Sequence, residues 1–194
     1  MGVFLVYRKD QNIVVCGLDA SSSMTGLAIF NDLQLVYYTK IPPISKDGTW
    51  EDHVFEIIEQ IIPILKEYKV DKIYMEDVPQ FVRQGNRGNI LKPLIVLGGV
   101  HMAFYYKLSK EQGYDIGFLG VDEWRQEMGF LKGKKRNRED QKQKAVNYAN
   151  EKFGLNLYFV YGSKSKKQDD DIAEAICIAW SKIKPIERKQ FGRR

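Results

Sequence analysis

Four acidic residues in this sequence each border an apolar segment. Asp19 follows an apolar run and precedes a Ser/Thr/Gly turn, and Glu76 ends the run over residues 72–76. Asp171 and Glu174 are three residues apart at the start of the last apolar stretch, which places them on one face of a helix. In open α/β sheets, ligands gather at the carboxyl ends of the parallel strands. The pattern therefore predicts that the acidic helix face meets the strand ends.

These side chains offer only hard oxygen ligands, with no paired Cys or ligand-spaced His nearby. Mg²⁺ or Mn²⁺ suits such a set better than zinc does. Two Mg²⁺ ions roughly 4 Å apart can stabilise both the attacking and the leaving oxygen of a phosphodiester. Singly, each acid has an ordinary alternative: Asp19 as a turn residue, Glu76 as a solvated strand end, and residues 169–171 as an acidic helix start. Jointly, the acids would repel one another without a metal ion.

Positive charge is concentrated in the last third of the chain. Residues 1–130 carry 13 Lys and Arg against 17 Asp and Glu, whereas residues 131–194 carry 17 against 8. This asymmetry favours a polyanionic partner, nucleic acid or an anionic membrane, with a solvated basic surface as the alternative. A site for Mg²⁺ beside a basic surface makes a nuclease the first hypothesis.

The length of 194 residues suits one domain better than two, so residues 1–194 are predicted to form a single unit with a basic, disordered tail over 184–194. Cys16 and Cys177 lie in apolar runs and are interpreted as buried thiols in a reducing compartment. The first 15 residues are unlike a signal peptide, and no apolar run reaches membrane-spanning length. We expect a soluble, cytoplasmic protein without a membrane partner.

The elements that must position the acids follow from hydrophobic periodicity. Apolar, β-branched runs predict strands over 13–18, 27–30, 33–39, 70–75 and 116–121, and a short extended segment over 157–161. Helical patterns cover 49–68, opening on a capping box, and 89–110, 122–128, 139–153 and 169–183. The predicted fold class is α/β, a mixed five-stranded sheet flanked by helices on both faces.

Several segments resemble motifs of the RuvC-type Holliday junction resolvases, a family with the ribonuclease H-like fold. They are GLDASSSMTGLA (17–28), IYMEDV (73–78), LGGVHMA (97–103), a lysine-rich stretch (132–146) and DIAEAICIA (171–179). The resemblance runs from about residue 13 to 182 in the family's order, and it indicates a divergent member. It implies a ribonuclease H-like fold.

The resemblance also implies the chemistry of the site. Asp19, Glu76, Asp171 and Glu174 would be the catalytic, metal-binding residues, with Glu174 standing where Asp is more usual. The sequence leaves open which acid of the run 169–171 binds metal. The implied activity is a magnesium-dependent endodeoxyribonuclease, with two Mg²⁺ per active site and Mn²⁺ able to substitute. It would cut four-way (Holliday) junctions to leave 5′-phosphate and 3′-hydroxyl ends, without a nucleotide cofactor.

Residues expected to bind DNA are mainly basic and lie in polar, glycine-containing stretches. Lys and Arg would contact phosphates, which position nucleic acid without reading its sequence. Phe81 would stack on bases opened at the crossover, or simply anchor its loop. The full predicted set is Phe81, Arg83, Arg87, Lys132, Lys134, Lys135, Arg136, Arg138 and Lys142.

A homodimer is expected because a two-fold dimer matches a two-fold junction. The helix over 89–110 is apolar almost all round in its middle, over 94–104, and Gly98 and Gly99 would let a partner backbone approach it. Two alternatives remain: a ribonuclease H-like nuclease for branched replication DNA or RNA–DNA hybrids, and a non-catalytic DNA-binding protein. An actin-like ATP-binding protein would need a second phosphate-binding half, for which the sequence offers no second turn.

Overall fold

The computed structural model describes residues 12–78, 87–131, 137–162 and 168–184, with the backbone alone for residues 87–91. All five strands expected from the apolar runs are present in these ranges. They are β1 (Val14–Asp19), β2 (Thr25–Asn31), β3 (Gln34–Ile41), β4 (Lys72–Glu76) and β5 (Asp115–Leu119). Residues 155–160 form no strand, so the extended segment expected there does not join the sheet.

The strands form one sheet in the order β3-β2-β1-β4-β5. β2 pairs antiparallel with β1 and β3, whereas β4 pairs parallel with β1 and β5. The prediction of a mixed five-stranded sheet is confirmed. Because β1, β4 and β5 run in one direction, their last residues, Asp19, Glu76 and Leu119, lie along the same edge.

Five α-helices lie in the described ranges. They are α1 (Trp50–Glu67), α2 (Arg87–Phe104), α3 (Val121–Glu127), α4 (Arg138–Phe153) and α5 (Asp170–Ile183). The predicted capping box is present at the start of α1, where Thr49 and Asp52 each accept the other's backbone N–H. α2 continues as a wider, π-type helix over Tyr105–Glu111. None of these described helices is both long and apolar enough to cross a membrane.

The helices cover both faces of the sheet, as predicted. α5 lies on one face with α3 and α4 beside it, and α1 and α2 cover the other. The α5 face buries small and aromatic side chains, among them Phe30, Trp124, Ala145, Ala175 and Trp180. The α1 face buries mainly large aliphatic side chains, among them Ile57, Ile58, Ile61, Leu65 and Met75.

Two glycines let α5 approach the sheet at backbone distance. A Cβ on Gly17 would lie 2.1 Å from the carbonyl oxygen of Ala175, and one on Gly26 would lie 1.9 Å from that of Asp171. Only a residue without a Cβ allows so close an approach. Gly26 is also the pairing partner of Asp19 across β1 and β2. The close contact therefore brings the first turn of α5 to the end of β1.

The two adjacent glycines of α2 have different neighbours. A Cβ on Gly99 would lie 2.3 Å from the indole ring of Trp50 in α1, whereas one on Gly98 would meet nothing within 4 Å. Gly99 therefore serves packing within the chain, and the expectation that it opens this helix to a partner is wrong. The outward side at Gly98 is flanked by the exposed Ile95 and Met102.

Candidate active site

Asp19, Glu76, Asp171 and Glu174 line one pocket, of about 550 Å³, at the edge of the sheet where β1 and β4 end. Two of these acids come from the strand ends and two from the first turns of α5. The same pocket is lined by five other titratable or cationic side chains, Asp77, His101, Arg125, Arg138 and Lys142. The fold thus brings together the four acids that the sequence singled out.

The turn after Asp19 is closed by other residues. Ser21 Oγ accepts hydrogen bonds from the backbone N–H groups of Ser23 and Met24, at 3.0 and 3.2 Å. Thr25 Oγ1 donates to the carbonyl oxygen of Ser21 at 2.9 Å. Because the turn has its own hydrogen bonds, its closure does not account for an acidic residue at position 19. The placement of Asp19 on the pocket wall favours a role there over a role in the turn.

Crowding of the acids changes their proton affinity. Burial, followed by the charges of Glu174, Glu76 and Asp171, raises the pKa of Asp19 well above its ordinary value. Burial and then Glu174 raise the pKa of Glu76, against the lowering effect of a hydrogen bond from Trp124. Negative charge in this pocket is therefore costly, and a bound cation would relieve that cost.

The three consecutive acids before the apolar part of α5 have separate partners. Lys40 Nζ lies 2.6 Å from Asp169 Oδ1, and Lys142 Nζ pairs with Asp170. Asp171 alone among the three lines the pocket. Burial and the neighbouring charge of Asp170 raise the pKa of Asp171 to about 6. The geometry thus favours Asp171 as the member of the run that faces a ligand.

Two adjacent residues of α3 contact the acids, and the sequence analysis did not identify either as a site residue. Trp124 Nε1 donates to Glu76 Oε2 at 3.0 Å, and Arg125 Nη2 lies 2.7 Å from Glu174 Oε1. α3 follows β5, whose end lies on the same edge as the ends of β1 and β4, and that position was the available signal.

The donor set fits a hard divalent cation in its chemistry, because all four acids supply carboxylate oxygens. As placed here, no three Asp, Glu, His or Cys side chains of the described residues converge closely enough to coordinate one ion. One of the four acids, Glu174, is held in an ion pair with Arg125. The acids therefore suit a divalent cation in the chemistry of their oxygen atoms and in the pocket that they share.

His101 is a further side chain of the pocket wall. It is 7% exposed, stacks on Phe118 with ring centroids 6.2 Å apart, and its Nδ1 has no hydrogen-bond partner among the described residues. Burial lowers its pKa, against the raising effect of Asp77. The stacking on Phe118 indicates a packing role for this side chain.

The residues predicted to bind DNA divide into two groups. Arg138, which begins α4, and Lys142, one turn later, both line the acidic pocket. Lys142 is largely buried beside Asp170, and that ion pair raises its pKa despite the opposing effect of burial. The others lie outside the described residues or have undescribed side chains: Phe81, Arg83, Arg87, Lys132, Lys134, Lys135 and Arg136.

A scan of protein-family models and a search of the curated proteins both find no match to this sequence. Solved structures do match. Thermus thermophilus RuvC in complex with a Holliday junction substrate is 17% identical, with a TM-score of 0.57 over 87% of this chain and 91% of that chain. Thermus thermophilus RuvC in another structure is 16% identical, with a TM-score of 0.56 over 87% and 92% of the two chains.

A third similar structure is the yeast mitochondrial Holliday junction resolvase Ydc2. It is 14% identical, with a TM-score of 0.51 over 88% of this chain and 78% of that chain. At such identities the similarity concerns the fold. The RuvC resemblance drawn from the sequence motifs is confirmed at that level, and the chain has the α/β, ribonuclease H-like fold of the RuvC structures.

Proposed function

We propose that this protein is a metal-dependent endonuclease that resolves four-way DNA junctions. The observation that carries the proposal is that Asp19, Glu76, Asp171 and Glu174 line one pocket, on a fold shared with RuvC. A structure of RuvC bound to a Holliday junction substrate supports junction DNA as the substrate. The proposed reaction is hydrolysis of a phosphodiester to leave 5′-phosphate and 3′-hydroxyl ends.

The four carboxylates would hold Mg²⁺, for which Mn²⁺ can substitute in experiments, with two ions proposed per site. When bound, the ions supply positive charge that lowers the pKa of water and stabilises the leaving oxygen. The chain itself contributes a rigid frame: the strand ends fix Asp19 and Glu76, and the close contact at Gly26 fixes the first turn of α5. No His is needed as general base in this scheme.

Positive side chains would position the DNA backbone against these acids. Arg138 is exposed at the start of α4 and also lines the pocket, so it can contact a phosphate there. We propose the same phosphate-binding role for the basic residues of the 132–136 segment, together with Arg83 and Arg87. Lys142 is paired with Asp170, so its part would be to offset negative charge at the pocket wall.

We further propose that two copies form a two-fold dimer through α2. Ile95, Met102 and Tyr106 are 70, 64 and 58% exposed, and Gly98 between them has open space beside it. Such an apolar stripe usually marks an interface. A two-fold dimer would place two identical sites on opposed strands of a symmetric junction. Gly98→Arg is expected to separate the copies, as measured by light scattering, while Gly98→Ala leaves them paired.

The proposed activity is tested with a four-way junction, a linear duplex and an RNA–DNA hybrid, each incubated with and without Mg²⁺. We expect paired nicks in the four-way junction and in neither of the other substrates, and these nicks should require Mg²⁺. DNA ligase should be able to reseal them. Asp19→Asn should bind the junction without nicking it. Preferred cutting of the hybrid would favour the other ribonuclease H-like activity. Junction binding without cutting, in Mg²⁺ and in Mn²⁺, would favour a non-catalytic DNA-binding protein.

A further inference from the structure

We propose that Arg125 is an internal counter-ion that competes with the divalent cation for Glu174. The inference rests on the proposed metal site, and it concerns how that site is filled. Arg125 Nη2 lies 2.7 Å from Glu174 Oε1, and the side chains are only 14% and 7% exposed. A guanidinium held so close to a buried carboxylate occupies the oxygen that a metal ion would need.

The contacts around Arg125 place it as a positioning residue in the metal-free pocket. Its guanidinium carbon lies 4.9 Å from the centroid of the Trp124 ring. Trp124 in turn donates to Glu76. Two consecutive residues of α3 therefore hold two of the four acids, one from β4 and one from α5. α3 thus restrains the acids of the pocket, and Arg125 is the residue of α3 that does so with a positive charge.

A divalent cation can open this ion pair, whereas deprotonation of Arg125 cannot. Arginine keeps its charge at any ordinary pH, so loss of a proton cannot release Glu174. Arg125 Nε is buried without a hydrogen-bond partner among the described residues, so the guanidinium is incompletely satisfied where it lies. A divalent ion that draws Glu174 away would displace Arg125 and disturb its stacking on Trp124. Metal loading and the position of Arg125 are thus coupled.

The coupling is tested by Mn²⁺ binding to DNA-free protein, measured by electron paramagnetic resonance. Arg125→Met should bind Mn²⁺ about tenfold more tightly than wild type, within the range typical of coupled binding events. The matched control is Lys182→Met, which removes the ion pairs to Glu123 and Glu127 on the outer side of α3. That control should leave Mn²⁺ affinity unchanged. In a Glu174→Gln background, Arg125→Met should have no effect on affinity.

A spectroscopic measurement tests the same coupling in unmutated protein. Saturating Mg²⁺ should change the tryptophan emission of wild type, and Trp124→Phe should abolish that change, because Trp124 is the tryptophan that contacts Arg125 and Glu76. If Arg125→Met does not fold, this measurement tests the coupling between metal binding and Arg125 in its place.

Three outcomes separate the two proposals. Equal Mn²⁺ affinity in wild type and Arg125→Met would overturn the competition while leaving the metal site in place. Unchanged Trp124 emission in Mg²⁺-saturated wild type would overturn it as well. Absence of measurable Mn²⁺ binding in both proteins would contradict the proposed metal site itself, and the competition with it.

Discussion

The two faces of the sheet hold their helices in different ways. On one face α5 lies against Gly17 and Gly26, where the backbone of the helix occupies the space of the missing side chains. On the other face α1 is held through long aliphatic side chains such as Ile58 and Ile61. Side chains can change rotamer to absorb a small shift, whereas contacting backbones cannot. The helix that carries two of the four acids is therefore the one with less freedom to move.

This difference matters because a metal site requires its ligands to be held within about 0.5 Å of their working positions. Asp171 and Glu174 belong to α5, and Asp19 belongs to the strand that α5 touches. α1, on the aliphatic face, contributes no residue to the pocket. Changes to the two faces should then have separable effects on stability and on metal binding.

The largest effect is expected from Gly26→Ala. The new Cβ would lie 1.9 Å from the carbonyl oxygen of Asp171, so the first turn of α5 must shift. We expect a loss of about 3 kcal/mol in the free energy of unfolding, at the upper end for overpacked sites. Mn²⁺ binding should weaken as well, because Asp171 and Glu174 move with the helix. Urea unfolding and Mn²⁺ titration measure the two effects.

The matched control for Gly26→Ala is Gly120→Ala, since a Cβ there would meet only Glu123 Cβ, at 3.8 Å. It should change neither quantity by a comparable amount. Normal stability and normal Mn²⁺ affinity in Gly26→Ala would mean that α5 can shift on the sheet without cost. The two faces would then not differ in how firmly they hold their helices.

A smaller effect is expected from Ile58→Val on the aliphatic face. Ile58 is fully buried, and loss of one methyl group there should cost about 1 kcal/mol of unfolding free energy. Mn²⁺ affinity should stay at the wild-type value, because the cavity lies on the side of the sheet away from α5. A drop in Mn²⁺ affinity that matches the drop in stability would show that the two faces are not separable.

The smallest effect concerns pH, and it should arise in the acidic pocket and not at Ile58. Burial and the charge of Asp170 raise the pKa of Asp171 from 3.8 to about 6. The folded chain then binds this proton more tightly than the unfolded chain does. The resulting stabilisation is fully present below the unfolded pKa and is lost as pH rises through about 6.

Metal-free protein should therefore melt at a lower temperature at about pH 7.5 than at about pH 5, and Asp171→Asn should reduce that difference. Ile58→Val should keep it in full. Thermal unfolding in a chelator gives the melting temperature of each of the three proteins at both pH values. A difference of the same size in Asp171→Asn would assign the titration to other groups.

The order of strands and helices could be predicted because each element carries its own periodicity. The meeting of Asp19 with Glu76 could be predicted too, since both end parallel strands. The contacts of Trp124 and Arg125 could not, because they depend on how α3 turns toward the pocket after β5. The pattern of residues within a short helix does not specify that angle.

The glycines show a similar limit. The sequence does not distinguish the adjacent residues Gly98 and Gly99, yet only Gly99 faces Trp50. The need for glycine at positions 17 and 26 becomes apparent only when α5 is packed against the sheet. The choice among Asp169, Asp170 and Asp171 likewise needed the positions of Lys40 and Lys142, which come from distant parts of the chain.

The most direct test of the proposed site is single-turnover cleavage of a four-way junction by single variants of the acids. Asp19→Asn, Glu76→Gln, Asp171→Asn and Glu174→Gln should each lose nearly all Mg²⁺-dependent nicking while still binding the junction. Asp169→Asn should keep it, because Asp169 pairs with Lys40 outside the pocket. Near wild-type nicking by any of the four, or a loss in Asp169→Asn equal to that in Asp171→Asn, would contradict the assignment of the site.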